Sequence, residues 1–486
     1  MNAPGSISLV AGPGALRFFA LIFGAFLGVC ILKWGNPVIL EAQIPMPRDA
    51  AEWLQQPWPS RLAAPVLMVL AVVGVMASKP MDLFRERRVP AVLIVLPVLW
   101  LGWQWLSAGR SIDPVLTGWT LPQLTGCLVC YGLGLLVLGP ALRTGWFWAG
   151  LIAGLGLCLN KAAQQHLFEL RQDYQVLVEG EATGWTNFTA ASLAEMKANL
   201  LIVRTNGVDI ANPAILDKMR RARVNGTMVY PNALAGMLLL LLPASLAVLA
   251  TVSASLKVSV RRLLLGSFGM LGVLCLYWTG SKAGWLVALG VGAVALLLRP
   301  GSARRKVALV ALLLAGGLGL FGLRFAGYFA KGATSAVARA DYWKAALENA
   351  RQRPIWGSGP GTFQRPYARL KAPESEMARL VHNDFLEQAT DSGWPGFALY
   401  TAWIGALLWT LGRHVSGGGG SIGLAGEAWP ETDRRRLEWA VFLGLLGWFA
   451  HGMAEFGLYI PASAWTAFTL AGALLAGVLP RRTVSV

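Results

Sequence analysis

The segment PNALAGMLLLLLPASLAVLATV, residues 231–252, is almost wholly apolar and carries no charged side chain. A helix of about 20 such residues crosses the hydrocarbon core of a bilayer, because it satisfies its own backbone polar groups where water is absent. Similar runs recur along the whole chain. The twelve candidate spans are 16–31, 62–78, 89–108, 121–138, 145–159, 231–252, 263–278, 284–298, 307–325, 393–411, 437–456 and 461–479. The sequence therefore predicts an all-α integral membrane protein of about twelve transmembrane helices.

The composition argues against an ordinary soluble protein. Of the 486 residues, 55% are hydrophobic and 14% are charged, whereas soluble domains carry about 25% charged residues. The formal net charge of +17 is also typical of nucleic-acid binding, but the basic residues lie mainly between the apolar runs, where they set orientation. We therefore expect no nucleic-acid partner. The five cysteines fall inside or beside apolar segments and are expected to be buried and inert.

Basic residues predict which loops face the cytoplasm, because Lys and Arg in short loops stay on that side. Clusters of them stand at every second interval between spans. They are Lys79, Arg85, Arg87 and Arg88; Arg143; Lys257, Arg261 and Arg262; Arg299, Arg304, Arg305 and Lys306; Arg434, Arg435 and Arg436; and Arg481 with Arg482. This alternation predicts cytoplasmic termini and two long extracytoplasmic segments.

Five regions follow from these spans and loops. Residues 1–159 are predicted to form five transmembrane helices, 160–230 an extracytoplasmic insert, 231–325 helices six to nine, 326–392 a large extracytoplasmic loop, and 393–486 the last three helices. The aromatic and apolar content of the two long outer segments argues against disorder. The glycine-rich stretch 417–426 is predicted to be a flexible cytoplasmic linker.

The second outer segment has the pattern of a helix followed by a tight turn. Ser335 is predicted to cap a helix that carries Arg339 and Trp343 at helical spacing. The glycines of 357–361 predict the turn. Residues 331–379 contain nine basic and four acidic side chains. This excess of cations indicates either a basin that attracts an anionic substrate or a solvated face near anionic lipid headgroups.

His382 is the candidate for acid–base chemistry. An imidazole near the outer membrane surface can take a proton from an attacking hydroxyl at near-neutral pH. Asp384, Glu387 and Asp391 are candidates to orient it, and their spacing does not choose among them. A purely structural histidine is the alternative. The stretch 393–396, Gly-Trp-Pro-Gly, is predicted to turn the chain back into the membrane.

Cationic side chains also precede the sixth and eighth spans. Arg220, Arg221 and Arg223 stand at an outer membrane edge, where orientation alone does not favour them, and guanidinium groups bind phosphate well. Asn232, at the start of the sixth span, is placed to cap the helix or to bind a polar ligand. Lys282, in a short outer turn, is placed to bind a ligand or to extend its ammonium group to the headgroups.

His451 and Glu455 are four residues apart in the eleventh span and share one face of the predicted helix. Ionisable groups inside a membrane are candidates for function. The sequence contains no phosphate-binding loop, dinucleotide fingerprint or H-E-x-x-H metal motif. We therefore expect neither nucleotide-driven chemistry nor a metal.

The order of these motifs resembles the O-antigen ligase and polymerase superfamily of bacterial cell-surface glycan assembly. His382 and Asn383, followed after nine residues by Gly393-x-x-Gly396, match the family pattern H-[N/S]-x9-G-x-x-G without a gap. Each motif is weak by itself, but several in the family's order are a strong signal.

Two further motifs add to this resemblance. Arg339 with Trp343, ahead of the glycine turn and Phe363, is similar to the family's R-x3-W and G-x-G-x-x-F run. Residues 223–227, followed by 231–232, are similar to its R-x-x-G-T…P-N segment. The motif resemblance covers roughly residues 220–400, and the other spans agree only in architecture.

The resemblance implies an all-helical, GT-C-like glycosyltransferase fold with an outer cavity that opens to the periplasm from the bacterial inner membrane. The implied donor is a glycan on undecaprenyl diphosphate, transferred without metal, nucleotide sugar or other cofactor. His382 would activate the acceptor hydroxyl, and Arg223 and Arg339 would bind the diphosphate, with Arg221 and Lys282 as further cations. The family often has Arg at the position of Lys282, so bidentate binding is lost there. The implied supporting residues are Asn232, Trp343, Asn383, Glu387, Gly393 and Gly396.

The acceptor divides the functional hypotheses. The first is a ligase that moves a finished polysaccharide onto a lipid A-core sugar. A polymerase that extends the carrier-linked chain, or a transferase that glycosylates protein serine, would use the same donor chemistry. A secondary transporter is a different class, since twelve spans also suit that fold. Unequal outer loops and ionisable residues at the outer rim favour the enzyme.

Overall fold

The structure is a computed structural model that describes residues 13–78, 89–139, 145–299, 301–330, 333–373, 375–416 and 429–479. Several sequence-based predictions concern residues outside these ranges. They are the basic residues Lys79, Arg85, Arg87, Arg88, Arg143, Arg481 and Arg482 and the glycine-rich linker at 417–426.

The described chain is almost entirely helical. The α-helices are α1 (Pro13–Lys33), α2 (Ala50–Gln55), α3 (Ala63–Met76), α4 (Val92–Ala108), α5 (Pro114–Leu133), α6 (Gly145–Gln164), α7 (Leu170–Ala182), α8 (Ala190–Ala198), α9 (Pro213–Arg220), α10 (Pro231–Val252), α11 (Val258–Thr279), α12 (Lys282–Leu298), α13 (Ala303–Ala330), α14 (Thr334–Gln352), α15 (Gln364–Leu370), α16 (Asp384–Ser416), α17 (Glu431–His451) and α18 (Pro461–Val478). Short π-helical turns extend α5 over Gly134–Leu138 and join α6 to α7 over Gln165–Glu169.

Seven helical segments in the described residues are long and apolar enough to cross a membrane. They are Gly14–Lys33, Pro114–Leu138, Gly145–Ala182, Pro231–Val252, Val258–Thr279, Ala303–Ala330 and Pro461–Val478. Three shorter apolar helices are Ser60–Met76, Val92–Ala108 and Lys282–Leu298. The protein is therefore a polytopic helical membrane protein, and the total of twelve spans stays a prediction.

The helices differ sharply in how much of their surface other helices cover. Helix α18 is buried along almost its whole length. Helix α13 exposes apolar side chains such as Leu312 and Leu323. An apolar helix with exposed side chains is stable when lipid surrounds it. The bundle therefore has a protein-buried centre at α18 and an edge at α13 that suits contact with lipid.

Glycines at helical spacing allow two helix pairs to approach closely. Gly24 and Gly28 of α1 meet Gly150 and Gly154 of α6, and a Cβ on Gly24 would lie 2.0 Å from the carbonyl oxygen of Phe147. Gly472 of α18 is packed in the same way against α5, where a Cβ would lie 2.1 Å from the carbonyl oxygen of Tyr131. Such contacts of small residues are a common means of packing helices in membranes.

The segment predicted to be an insert folds around a small core of its own, formed by Leu177, Trp185, Ile202 and Ala211. Two strands, β1 (Ile202–Thr205) and β2 (Val208–Ala211), pair in an antiparallel hairpin. The expectation of an all-α chain is thus corrected in this place. The turn at Asn206 and Gly207, both with positive φ, suits the tight reversal of such a hairpin.

The prediction that Ser335 caps α14 is wrong. The N-cap position is Ala333, at φ 51°, and no side chain caps the helix there. Ser335 lies one residue inside α14, where its hydroxyl is 3.0 Å from that of Tyr328. The Tyr328 hydroxyl also accepts a hydrogen bond from the Ala336 amide, at 3.0 Å. A tyrosine from α13 therefore satisfies the helix start, which a local sequence rule does not detect.

Candidate functional site

Helix α16 is broken at Ser392 and Gly393, and the glycine turn 357–361 fills the break. The Ser358 amide donates to the Thr390 carbonyl at 2.9 Å, and the Trp394 amide donates to the Pro354 carbonyl at 2.8 Å. Gly393 has a φ of 70°, and a Cβ there would lie 2.4 Å from the carbonyl oxygen of Ile355. Glycine is required here by both conformation and space.

Gly396, the second glycine of this motif, follows on the next turn of α16. A Cβ there would lie 1.9 Å from the Ser392 hydroxyl. That hydroxyl accepts a hydrogen bond from the Gln104 side chain of α4, at 2.8 Å. The two glycines thus serve the shape of the break, which fixes the direction of the helical turns that follow His382.

His382 has an unusual backbone conformation, and hydrogen bonds fix the chain on both sides of it. Its φ is 55°, a left-handed value that costs free energy for a residue with a Cβ. The Glu387 carboxylate accepts a hydrogen bond from the Val381 amide at 2.6 Å. Asn383 is placed at the start of α16, where its side-chain oxygen accepts from the amides of Phe385 and Leu386 at 3.0 and 3.1 Å. Asn383 therefore acts as the N-cap of this helix.

The segment after α17 brings an acidic residue, Glu455, to His382. The helix ends at His451, so Glu455 lies beyond it, and the expectation that both residues share one helix face is wrong. The Asp384 amide donates to the carbonyls of Gly452 and Glu455, at 2.7 and 3.1 Å. The Asp384 carboxylate accepts from the Leu458 amide at 3.2 Å. Asp384 thus fixes this segment and does not itself contact the imidazole.

Glu455 is the carboxylate that contacts the imidazole. His382 Nδ1 lies 3.1 Å from Glu455 Oε2. The earlier candidates for this role, Asp384, Glu387 and Asp391, have other partners: Asp391 accepts from the Gly361 amide and the Tyr459 hydroxyl, at 2.7 and 2.8 Å. Because an ionised carboxylate only accepts hydrogen bonds, Nδ1 carries the proton in this contact. Nε2 is then the nitrogen available to a ligand.

Glu455 also binds three residues from other elements. Its Oε1 accepts hydrogen bonds from Asn232 Nδ2, at 2.6 Å, and from the Arg339 guanidinium. Its Oε2 accepts a hydrogen bond from the Tyr230 hydroxyl. Burial alone would raise the pKa of Glu455, but the hydrogen bond and charge of His382, with the charge of Arg339, hold it at about 2. The carboxylate is therefore ionised at neutral pH.

The arginine of the first motif is joined to this network through Asn232. Arg223 donates from Nε to the Thr279 carbonyl at 2.6 Å and from one terminal nitrogen to the Asn232 side-chain oxygen at 2.8 Å. Asn232 does not cap α10, whose N-cap residue is Tyr230 and has no side-chain cap. Of the two roles considered for Asn232, the structure has the polar contact.

The other two predicted cations have partners outside the group of side chains around Glu455. Lys282 begins α12, and its ammonium group lies 3.9 Å from the ring centroid of Tyr328 and 5.2 Å from that of Phe325. This is a cation–π arrangement. Arg221 is exposed and pairs with Asp217 at helical spacing in and just after α9. Neither cation contacts the Glu455 carboxylate directly.

Trp343 has a packing position beside the site. It lies against a cluster formed by Tyr342, Ala346, Phe363, Tyr367 and other residues, while its indole nitrogen is buried without a hydrogen-bond partner among the described residues. The Tyr342 ring of this cluster stacks on the His382 imidazole at a centroid distance of 5.8 Å. The R-x3-W pattern thus contributes a cation from Arg339 and apolar packing from Trp343.

A cavity of about 790 Å³ lies beside the N-terminal ends of α10 and α14. Its lining includes His382, Arg339, Arg221, Asn232 and Tyr230, together with Asp341, Tyr342 and Glu376. Ala214, Asp217 and Arg221, from α9 and the residue after it, form part of the wall. Within the described ranges, no group of three or more His, Cys, Asp or Glu side chains is arranged to hold a metal ion.

Apolar helices that suit a bilayer and a cavity whose lining includes a histidine and two arginines define a polytopic membrane protein with a candidate enzyme site. Residues 266–401 match the family model described as O-antigen ligase. This match confirms the resemblance to the O-antigen ligase and polymerase superfamily, and it implies a glycosyltransferase-type activity in the membrane. No match was found among curated proteins. Lys282, Arg339 and His382 lie inside the matched segment.

Sequence reasoning missed the role of Glu455 and Tyr230. Glu455 was assigned to a helix face with His451, because hydropathy extends the eleventh span to residue 456, past the end of α17. Tyr230 immediately precedes the Pro231-Asn232 pair of the motif. The acidic residue was visible as an ionisable group at the outer end of an apolar run, but its partners come from distant segments.

Proposed function

We propose that this chain is a glycan ligase of the bacterial inner membrane. It transfers a finished polysaccharide from undecaprenyl diphosphate to a hydroxyl of lipid A-core, in a cavity that faces the periplasm. The observation that carries the proposal is the pairing of His382 Nδ1 with Glu455 beside Arg339. His382 and Arg339 both line this cavity, so the proposed base and the proposed diphosphate cation would meet the substrate in one place.

The proposed reaction is a direct displacement at the anomeric carbon. The acceptor oxygen forms the new C–O bond while its proton passes to His382 Nε2, and the bond from the anomeric carbon to the diphosphate oxygen breaks. Negative charge accumulates on the leaving diphosphate. Fixed cations stabilise that charge most strongly in the transition state. Arg339 and Arg221 act on the cavity wall, with Arg223 and Lys282 behind and beside them.

The supporting residues have structural parts in this proposal. Asn383 and Glu387 hold the backbone on either side of His382, Gly393 and Gly396 shape the break in α16, and Asn232 joins Glu455 to Arg223. Trp343 packs against the apolar cluster that contains Tyr342. Transfer of this kind uses no metal, so we expect it to continue in the presence of a chelator.

The test uses purified protein, carrier-linked glycan and lipid A-core, with His382→Ala beside the wild type. We expect transfer by the wild type and a loss of about 10²-fold or more in His382→Ala, since a general base contributes that much. His414→Ala is the matched control, because this histidine lies near the opposite end of α16 and contacts the Thr410 carbonyl. Undiminished transfer by His382→Ala would reject the mechanism.

Gene disruption distinguishes the acceptors. A ligase predicts loss of all long glycan chains from the lipid while polymer remains on the carrier. Single-unit caps on the lipid would instead indicate a polymerase, and an unchanged lipid profile with loss of glycoprotein would indicate a protein glycosyltransferase. Electrophoresis of surface glycans separates these results.

A further inference from the structure

The Glu455 carboxylate links the candidate base, His382, to the candidate diphosphate cation, Arg339. It is 2% exposed and accepts hydrogen bonds from four side chains. Two of them, His382 and Tyr230, bind Oε2. The other two, Arg339 and Asn232, bind Oε1. One oxygen therefore faces the candidate base and the other faces the candidate diphosphate cations.

Both His382 and Arg339 depend on this carboxylate for their orientation. An imidazole without a partner at Nδ1 exchanges its proton between the two nitrogens and rotates about its side-chain bonds. The Glu455 contact selects one tautomer and one orientation. On the other side, a flexible arginine in a wide cavity loses less side-chain entropy on binding a ligand if it is already held. The contact between Arg339 and Glu455 holds it.

We propose that Glu455 is the positioning residue of the site, which orients His382 as a base with Nε2 free and at the same time holds Arg339 for the diphosphate. The catalytic part of this inference rests on the proposed function. Glu455 does not touch the substrate and acts through these two side chains. Asn232 extends its influence to Arg223, because the same amide donates to Glu455 and accepts from that arginine.

Side chains from several elements surround the His382 imidazole. Glu455 faces the imidazole from the segment after α17, Tyr230 from the start of α10, and Tyr342 from α14. Arg339 of α14 contacts the Glu455 carboxylate. Burial and the neighbouring carboxylate raise the pKa of Tyr230, so this hydroxyl stays protonated. The negative charge in direct contact with the imidazole therefore comes from Glu455.

The kinetic test compares Glu455→Gln with Glu348→Gln, a matched substitution of an exposed glutamate on α14. We expect Glu455→Gln to lower kcat by about 10²-fold, the contribution of a well-placed base. In a His382→Ala background, Glu455→Gln should cause a smaller further loss, because only its effect through Arg339 remains. Glu348→Gln should leave the rate unchanged.

Glu455→Asp checks the geometry without removing the charge. Its side chain is one methylene shorter, so we expect a reduced kcat although the charge is kept. A wild-type kcat in Glu455→Asp or in Glu455→Gln would overturn the proposal. If Glu455→Gln does not give folded protein, the Glu455→Asp comparison decides.

A measurement without turnover separates this inference from the proposed function. The chain has four histidines, so nitrogen-15 labelling of histidine gives few signals, and His382→Gln assigns the one of interest. We expect the neutral His382 ring of the wild type to carry its proton on Nδ1, and that of Glu455→Gln to show a mixture of the two tautomers. An unchanged tautomer in Glu455→Gln would reject the contact. Clear NMR effects with no glycan transfer by wild type would reject the proposed function alone.

Discussion

Arg339 and Arg223 carry the same charge, but their environments give them different parts. Arg223 binds the Thr279 carbonyl and Asn232 and is largely buried. Arg339 binds Glu455 and keeps 20% of its side chain exposed on the cavity wall. A ligand in the cavity therefore reaches Arg339 directly, whereas Arg223 acts from behind Asn232.

Arg339→Ala should weaken donor use more than it weakens the fold. We expect kcat/KM for the carrier-linked glycan to fall by about 10²-fold, the typical loss of one donor to a developing anion. Arg351→Ala is the matched control, because Arg351 is an exposed arginine of the same helix, whose partner is Glu348 at 4.0 Å. Normal kinetics in both Arg339→Ala and Arg223→Ala would contradict the diphosphate role.

At the scale of single residues, the sequence indicated which side chains belong to the site but not their hydrogen-bond partners. The motifs selected His382, Arg339 and Asn232, and the structure brings these three together on Glu455. The partner of His382 could not be predicted, because it lies 73 residues away. Spacing does not distinguish the nearby carboxylates, but in the structure Asp391 accepts hydrogen bonds from the Gly361 amide and the Tyr459 hydroxyl instead.

The break in α16 is the element on which the site depends. The two glycine motifs, distant in sequence, form one contact there, since the Gly359 amide donates to the Asp391 carbonyl at 2.8 Å. Asn349 of α14 reinforces it, donating to the Thr390 carbonyl at 3.0 Å. Helix α14 carries Arg339, and α16 begins shortly after His382. These contacts hold the two helices in one relative orientation.

Gly393→Ala tests this element. Its Cβ would lie 2.4 Å from a backbone oxygen at a φ of 70°, so we expect a loss of at least about 2 kcal/mol in stability and a lower Tm in detergent. Gly405→Ala is the control within the same helix, where no atom lies within 4 Å of the added Cβ. That change should be neutral or stabilising by up to about 1 kcal/mol. Equal Tm values for the two variants would contradict the close contact.

Hydropathy predicted the helices better than it predicted their ends. Helix α10 occupies the residues of the sixth predicted span, Pro231–Val252, where proline begins the helix and apolar residues fill it. Helix α17 ends five residues before the predicted limit at residue 456, because Gly452 and the bonds from Asp384 draw the chain aside. Periodicity does not detect such tertiary contacts.

At the scale of the whole molecule, helices α11 to α13 form an exposed apolar edge that also carries cationic side chains. Lys282 and Arg324 lie at this apolar edge, where each stacks on aromatic rings: Phe325 contacts both, Tyr328 contacts Lys282 and Tyr277 contacts Arg324. A donor with a polyprenyl tail needs lipid contact and cations near each other. This arrangement supports a lateral approach of the donor from the bilayer.

The proposed sidedness is the prediction on which the function depends most. In the twelve-span arrangement, Ala194 of α8 and Ala368 of α15 face the periplasm, while Ser302, between α12 and α13, faces the cytoplasm. All three are suitable sites for single cysteines, because Ala194, Ala368 and Ser302 lie at solvent-accessible positions and the five native cysteines are buried. A membrane-impermeant maleimide applied to the outer face should label Ala194→Cys and Ala368→Cys in intact spheroplasts. It should label Ser302→Cys only after the membrane is opened, and the wild type serves as the background control. Labelling of Ser302→Cys alone from outside would put His382 and Arg339 on the cytoplasmic side, where the lipid-linked polysaccharide is not exposed to a periplasmic acceptor.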